Sequence, residues 1–248
     1  MKFYITKNKK QGDKKAFGII KKQALKKPDS LIALAAGKTT DGLHKLISKD
    51  VKRFPKRWQK IKILQIDENL GLSPNSPLSF NFELRKELKS LFMILPSKNI
   101  FFINGTKNPK QTIKEAYRFI KQNKGIDLIT LGIGPEYDPH IAYNVSGKSS
   151  LRSKMRVVRL HPKYVETCRS RGVPWHAPTK GITLGIKDIL KARSIVLMAY
   201  GKNKAKSIEL AFKSKKINIT KVPASAIHLH KNAYVVVDKC SVSLLKIR

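Results

Sequence analysis

Seven short apolar runs recur along the chain, each of strand length, and stretches with helical spacing separate them. The runs are LIALAA (31–36), IKILQID (61–67), NIFFIN (99–104), IDLITLGIG (126–134), MRVVRL (155–160), SIVLMAYG (194–201) and AYVVVD (233–238). Between them lie TDGLHKLISKDVKR, SPLSFNFELRKELKSLF, KQTIKEAYRFIKQNK, GITLGIKDILKAR and KNKAKSIELAFKS, and PASAIHLHKN reads as a short final helix before the last strand. This alternation predicts an α/β fold: an open, mainly parallel sheet flanked by helices, a Rossmann-like three-layer sandwich. No linker rich in Pro, Gly or Ser divides the 248 residues, so residues 1–248 are expected to form a single domain.

No window approaches the ~20 apolar residues of a membrane-spanning helix. The N-terminal MKFYITKNKKQGDKKAFG has no apolar run of signal-peptide length behind its basic residues. Cys168 and Cys240 stand far apart without a CxxC partner, which argues against a zinc site or a disulfide framework and suits a reducing cytoplasm. The 52 Lys and Arg against 16 Asp and Glu leave a formal charge of +36, a field that attracts anions from sugar phosphates to nucleic acid. Those basic residues are spread over the chain without an Arg-rich arm, which reads as a solvated surface, with nonspecific nucleic-acid binding left open. Trp58 and Trp175 are expected to pack in the core or in grooves rather than to stack on bases.

Ligands of an open parallel sheet bind beyond the carboxyl ends of the strands, where loops and helix N-termini converge. After the run 31–36, Gly37 permits a tight turn, Lys38 brings charge, and Thr39 and Thr40 offer hydroxyls and capping oxygens: either a phosphate cradle or an ordinary capped turn. After the run 61–67 stand Asp67 and Glu68, and a partly desolvated carboxylate there has the raised pKa useful to a general base. After the run 126–134, Gly132, Gly134, Pro135 and Pro139 shape a loop presenting Asp138 and His140, a pair suited to moving protons on and off a sugar oxygen. Lys204 stands where a helix starts after the run 194–201, a place unfavourable for a lysine unless an anion sits there. Arg169 and Arg171 form a second candidate anion contact. His228 and His230 lack a third ligand, so structural roles are expected of them and no metal.

The order of these motifs resembles the glucosamine-6-phosphate deaminase (isomerase) family, related to the 6-phosphogluconolactonases, over about residues 31–240. LAAGKTT is similar to the phosphate loop LPTGGTP, IDENLGLSPNSPLSF to the acidic motif DEYVGL and its Pro and Ser-Tyr segment, and LGIGPEYDPHIAYN to LGIGxDGHIAFN. GITLGIKDILKARSIVLMAYGKNKA resembles the segment ending in G-x-x-K-A, and VPASAIHLHKNAYVVVD the closing SxLQxHPN motif.

The resemblance implies that Asp67 takes the C2 proton of the open-chain sugar and that Asp138 and His140 open the ring, with Glu68 in support. It implies that Gly37, Lys38, Thr39, Arg169 and Lys204 hold the phosphate. The expected reaction converts glucosamine 6-phosphate and water to fructose 6-phosphate and ammonia, with no metal or organic cofactor. A homo-oligomer and a cytoplasmic location go with it. Two departures stand out: the family's DGH is YDPH here, with two residues inserted before it, and Val145 replaces the glutamate that helps orient the histidine. These keep two alternatives open: a 6-phosphogluconolactonase, in which His140 activates water, and a degenerate enzyme acting as a basic nucleic-acid-binding protein.

Overall fold

The first residues already add to the sheet. β1 (Lys2–Thr6) is followed by α1 (Lys9–Lys26), whose N-cap Asn8 accepts a hydrogen bond from the Gln11 amide. Both were invisible in the lysine-rich N-terminus: α1 buries only the narrow stripe Ala16, Ile20 and Ala24, along with Gly12 and Asp13. The computed structural model describes residues 1–170 and 177–245.

Onward the chain runs β2 (Leu31–Leu34), α2 (Asp41–Arg53), β3 (Lys62–Gln65), β4 (Asp67–Asn69), α3 (Phe80–Glu87), α4 (Lys89–Ile94), β5 (Ile100–Phe101) and α5 (Pro109–Gln122). It continues through β6 (Leu128–Gly132), β7 (Arg156–Arg159), α6 (Pro162–Ser170), β8 (Lys180–Thr183), α7 (Ile186–Leu190) and β9 (Ile195–Ala199). α8 (Ala205–Phe212), a 3₁₀ segment (Pro223–Leu229) and β10 (Ala233–Asp238) complete it. Seven strands form a parallel sheet in the order β1-β10-β9-β6-β2-β3-β5.

Residue alternation along the central strands explains the three layers. Leu31 and Ala33 of β2, with Ile195 and Leu197 of β9, face a core closed by Ala116 of α5, Ile189 of α7 and Ile208 of α8. Ile32 and Leu34, with Val196 and Met198, face the opposite core, closed by Ile20 of α1, Leu43 and Ile47 of α2 and Leu91 of α4. A strand buried on both faces reads as an unbroken apolar run, and each fully buried Leu or Ile contributes about 1.5–3 kcal/mol.

Three expectations are corrected. The run 155–160 does not join the parallel sheet: β7 pairs antiparallel with β8, and β8 with β4, in a separate three-stranded sheet. GITLGIKDILKAR opens as strand β8, and only Ile186–Leu190 is helical. The run 61–67 divides at Ile66, feeding β3 to the main sheet and β4 to the small one, so Asp67 sits where the chain leaves one sheet for the other.

The strand order reverses between β2 and β6. From β2 the chain proceeds outward to β3 and β5, and from β6 to β9 and β10 on the other side, where the first strand, β1, forms the edge. The loops leaving these two strands therefore diverge above and below the sheet and open a crevice at their carboxyl ends.

Candidate functional site

A crevice of about 1050 Å³ lies at this point, and its walls include Gly37, Lys38 and Thr39 after β2, His140 after β6, and Lys204 after β9. Gly37 holds φ at +107°, the left-handed region that favours glycine. The Thr40 hydroxyl does not cap α2: it donates back to the carbonyls of Ala35, at 3.2 Å, and Gly37, at 3.0 Å, tying the turn to itself.

The loop after β6 is closed by its own backbone. Gly134 N–H donates to the His140 carbonyl at 2.9 Å, and Asp138 N–H to Pro135 at 3.0 Å. A Cβ at position 134 would collide with the His140 ring, so glycine is required there. Within this loop Asp138 Oδ2 lies 2.8 Å from His140 Nδ1, while Oδ1 accepts from the Ser146 amide at 2.8 Å. With Nδ1–H donated to the carboxylate, Nε2 is left to take or give a proton. Burial pushes the Asp138 carboxyl up, but the bonds and charge of His140 and the Ser146 bonds together hold it below the ordinary carboxylate value. Two residues beyond His140, Ala142 holds φ at +49°, a left-handed conformation costing about 1–2 kcal/mol outside glycine.

Asp67 is the opposite kind of carboxylate. It is buried, and no hydrogen bond reaches its side-chain oxygens among the described residues. Burial first, then the charges of Glu68 and Glu83, push it well above the ordinary value. Its charge is felt by Tyr143, whose ring lies 6.3 Å from that of His140, but Asp67 itself is not among the residues that line the crevice. The Tyr143 hydroxyl is tied to Asn69 Oδ1 at 2.8 Å and to the Tyr164 hydroxyl at 2.7 Å.

Glu68, fully buried, accepts five hydrogen bonds. Asn69 N–H and Phe80 N–H reach Oε1, and Gln65 Nε2, the Ser79 hydroxyl and Asn81 N–H reach Oε2. It anchors the N-terminus of α3 and has no vacant lone pair facing the crevice. Lys204 is half-buried at a 3₁₀ turn that leads into α8, donates to the Ile133 carbonyl at 2.7 Å, and has its pKa lowered by desolvation. Arg169, in the last turn of α6, is exposed and is not among the residues that line the crevice. Arg171 and Trp175 lie outside the described residues.

The remaining motifs resolve as packing. His228 Nε2 donates to the Ala211 carbonyl at 2.9 Å and His230 Nε2 to that of Ala192 at 2.7 Å. Trp58 is buried with its Nε1–H on Asp50 at 2.9 Å. Among the described residues no cluster of His, Cys, Asp and Glu is arranged to hold a metal, and no helix is long and apolar enough to cross a membrane. Sequence reasoning missed Glu83 and Glu87 of α3 and Tyr164 of α6, all of which line the crevice. An acid at the start of a helix is ordinary, so nothing in the sequence marked Glu83.

A parallel α/β sheet whose switch-point crevice is walled by lysines and by a histidine held on a buried aspartate defines an α/β protein with a site suited to a small anionic molecule. The chain belongs to the glucosamine-6-phosphate isomerase/6-phosphogluconolactonase family, whose sequence model matches residues 14–236. It is 34% identical over 247 residues to a glucosamine-6-phosphate deaminase of Thermoanaerobacter sp. (strain X514), covering 99% of this chain and 95% of the relative. It is 33% identical to one of Clostridium botulinum (strain Langeland), covering both chains in full. Among solved structures it superposes on a monomeric glucosamine-6-phosphate deaminase with a TM-score of 0.89 at 26% identity, covering 98% of this chain and 100% of that one. The 6-phosphogluconolactonase of Trypanosoma cruzi is more distant, with a TM-score of 0.76 at 16% identity over 99% and 97% of the two chains, a likeness of fold alone.

Proposed function

We propose that this chain converts glucosamine 6-phosphate and water to fructose 6-phosphate and ammonia. The observation that carries the reading is the Asp138–His140 pair, 2.8 Å apart with His140 in the crevice wall, together with a second carboxylate, Asp67, buried without a hydrogen bond just past β3; the first is held low and the second high. A pair of groups whose environments drive their pKa values apart divides acid from base.

In this reading Lys204, Lys38 and Thr39 receive the phosphate, while the Gly37 N–H is already taken by Glu83. His140 Nε2 takes the proton of the C1 hydroxyl and delivers it to the ring oxygen as the C1–O5 bond breaks, and the transient imidazolium is stabilised by Asp138. Asp67 removes the C2 proton of the open-chain sugar to give an enolamine, then returns it to C1. The C2 imine so formed adds water, and its C–N bond breaks to release ammonia and leave the ketose. Glu68 holds α3 against the crevice and takes no proton. Arg169 contributes only if the end of α6 closes over the phosphate.

Purified protein given glucosamine 6-phosphate should form fructose 6-phosphate, and Asp67→Asn should abolish turnover while substrate still binds. Equal turnover in that variant rules the mechanism out. A 6-phosphogluconolactone assay run beside it decides the lactonase alternative, for which Val145 is the supporting departure.

A second reading, weak polyanion binding, has one observation in its favour. A concavity of about 500 Å³ at the opposite edge of the sheet is lined by Lys2, Lys14, Lys15, Lys22 and Lys26, and by no acid. Tyr4 and Tyr234 stack there at 6.4 Å. Both rings are partly buried and Lys15 lies over that of Tyr4, so the lysines rather than the rings would meet a polyanion. A binding constant for an unrelated oligonucleotide that falls steeply with salt supports this reading, and a flat response removes it.

A further inference from the structure

Nineteen residues line the crevice, and the acid among them with no cation beside it is Glu83. It stands in the first turn of α3, and its Oε1 accepts the Gly37 amide at 2.8 Å. Its Oε2 has no hydrogen-bond partner among the described residues. Lys9, Lys38, Lys45, Lys86 and Lys204 line the same crevice, yet none forms an ion pair with it. Glu87, one turn further along the helix, is engaged: its Oε2 lies 2.6 Å from Nδ1 of the buried His44.

Glu83 thus faces the crevice without an ion pair, and its charge reaches Asp67, which it helps to push up. Burial, then the neighbouring charge of Glu87, makes its anionic form costly, and the Gly37 bond and the nearby His44 only partly offset this. A cation bound between Glu83 and Asp67 would relieve both carboxylates, whereas an anion there would be repelled by both. Glu83 also occupies the Gly37 N–H, which moves the phosphate toward Lys38, Thr39 and Lys204.

We infer that Glu83 is a specificity-determining residue: its carboxylate receives the ammonium group of an amino-sugar phosphate and so separates that substrate from the sugar phosphate without nitrogen. The inference rests on the deaminase reading and adds the means by which the amine is recognised.

Two open-chain probes that cannot turn over test it by calorimetry: 2-amino-2-deoxyglucitol 6-phosphate and glucitol 6-phosphate. They differ only in the cationic group. Glu83→Gln keeps the size and an oxygen for the Gly37 amide and removes the charge. Wild-type protein should prefer the amino probe, and Glu83→Gln should weaken that probe about tenfold while glucitol 6-phosphate changes less than about twofold. Glu83→Asp, which retains the charge, should keep most of the preference. Should the glutamine variant fail to fold, the wild-type ratio and the aspartate variant still decide the matter. Equal weakening of both probes, or no preference in the wild type, overturns the inference. The two proposals fail separately: absence of fructose 6-phosphate formation by the wild type counts against the deaminase reading, and the probe ratio alone counts for or against Glu83.

Discussion

Glu68→Gln separates a catalytic acid from a buried anchor. The native carboxylate takes two donors on Oε1 and three on Oε2, none of them shared with solvent. An amide has one accepting oxygen, so whichever way it turns, at least two donors lose their acceptor and meet an N–H₂ instead. The cheaper orientation places the nitrogen opposite Asn69 N–H and Phe80 N–H. Hydrogen bonds to a charged group contribute about 1.5–3 kcal/mol each, so the change should cost about 3–5 kcal/mol. For a chain of this length that is roughly a 10 °C fall in Tm. Urea unfolding followed by circular dichroism should show a lower midpoint at an unchanged slope. Turnover should fall too, because Phe80, Glu83 and Glu87 of the displaced α3 form one wall of the crevice. A loss below about 1 kcal/mol with turnover still abolished would refute the anchoring argument and return Glu68 to the chemistry.

Asp67→Asn should stabilise the fold as it kills turnover. A carboxyl whose folded pKa is raised above its unfolded value disfavours folding once pH exceeds the unfolded value, so the variant should gain about 1–2 kcal/mol at pH 7 and nothing in acid below the ordinary carboxylate range; an unchanged Tm at neutral pH would contradict the burial argument. Asp138→Asn has the opposite sign, since its folded pKa is lowered: stability present above the unfolded value disappears as pH falls through the depressed folded value. With the histidine no longer held through Nδ1, kcat should drop about 10²–10⁴-fold, and a drop confined to KM would show that Asp138 only binds. Raising salt from ~0.05 to ~0.5 M should lower kcat/KM for the phosphorylated substrate while leaving kcat unchanged, because the attraction acts on encounter through a screened field. Parallel rates in both salts would mean that the surface lysines do not steer.

What the sequence made legible followed burial geometry. β2 and β9 announced themselves because helices cover both of their faces. β1 did not, because it is an edge strand with three of its five residues partly buried and two exposed. β7 misled for a physical reason: one face of the small sheet meets solvent, Val157 is 39% exposed while Val158 is buried, and the run RVVR looks equally apolar in either sheet. The site was legible where a strand end fixes a residue. Asp67, Asp138, His140, Gly37 and Lys204 all follow the carboxyl end of a strand, and topology alone carries them toward one crevice. Arg169 follows a helix, and no such rule aims it. Glu83 reaches the crevice only through the packing of α3, which no local pattern encodes.

The scarcity of acids gives those placements their force. Of 16 carboxylates, seven are buried: Asp13, Asp67, Glu68, Asp127, Asp138, Asp188 and Asp238. Most have evident work as anchors. Asp127 takes Lys27, Arg193 and the Leu31 amide, Asp188 takes the Tyr117 hydroxyl and the Gly185 amide, and Asp238 takes the Gly201 and Ser241 amides. Burying a charge without such bonds is costly, and a drift toward lysine on the surface does nothing to lower that cost inside. Of these seven, among the described residues, Asp67 is the one whose side-chain oxygens accept no hydrogen bond; even Asp13, with one oxygen unpartnered, takes Lys9 on the other. A fold keeps a residue that destabilises it where the destabilised state is the useful one, and here that state is a carboxylate ready to take a proton.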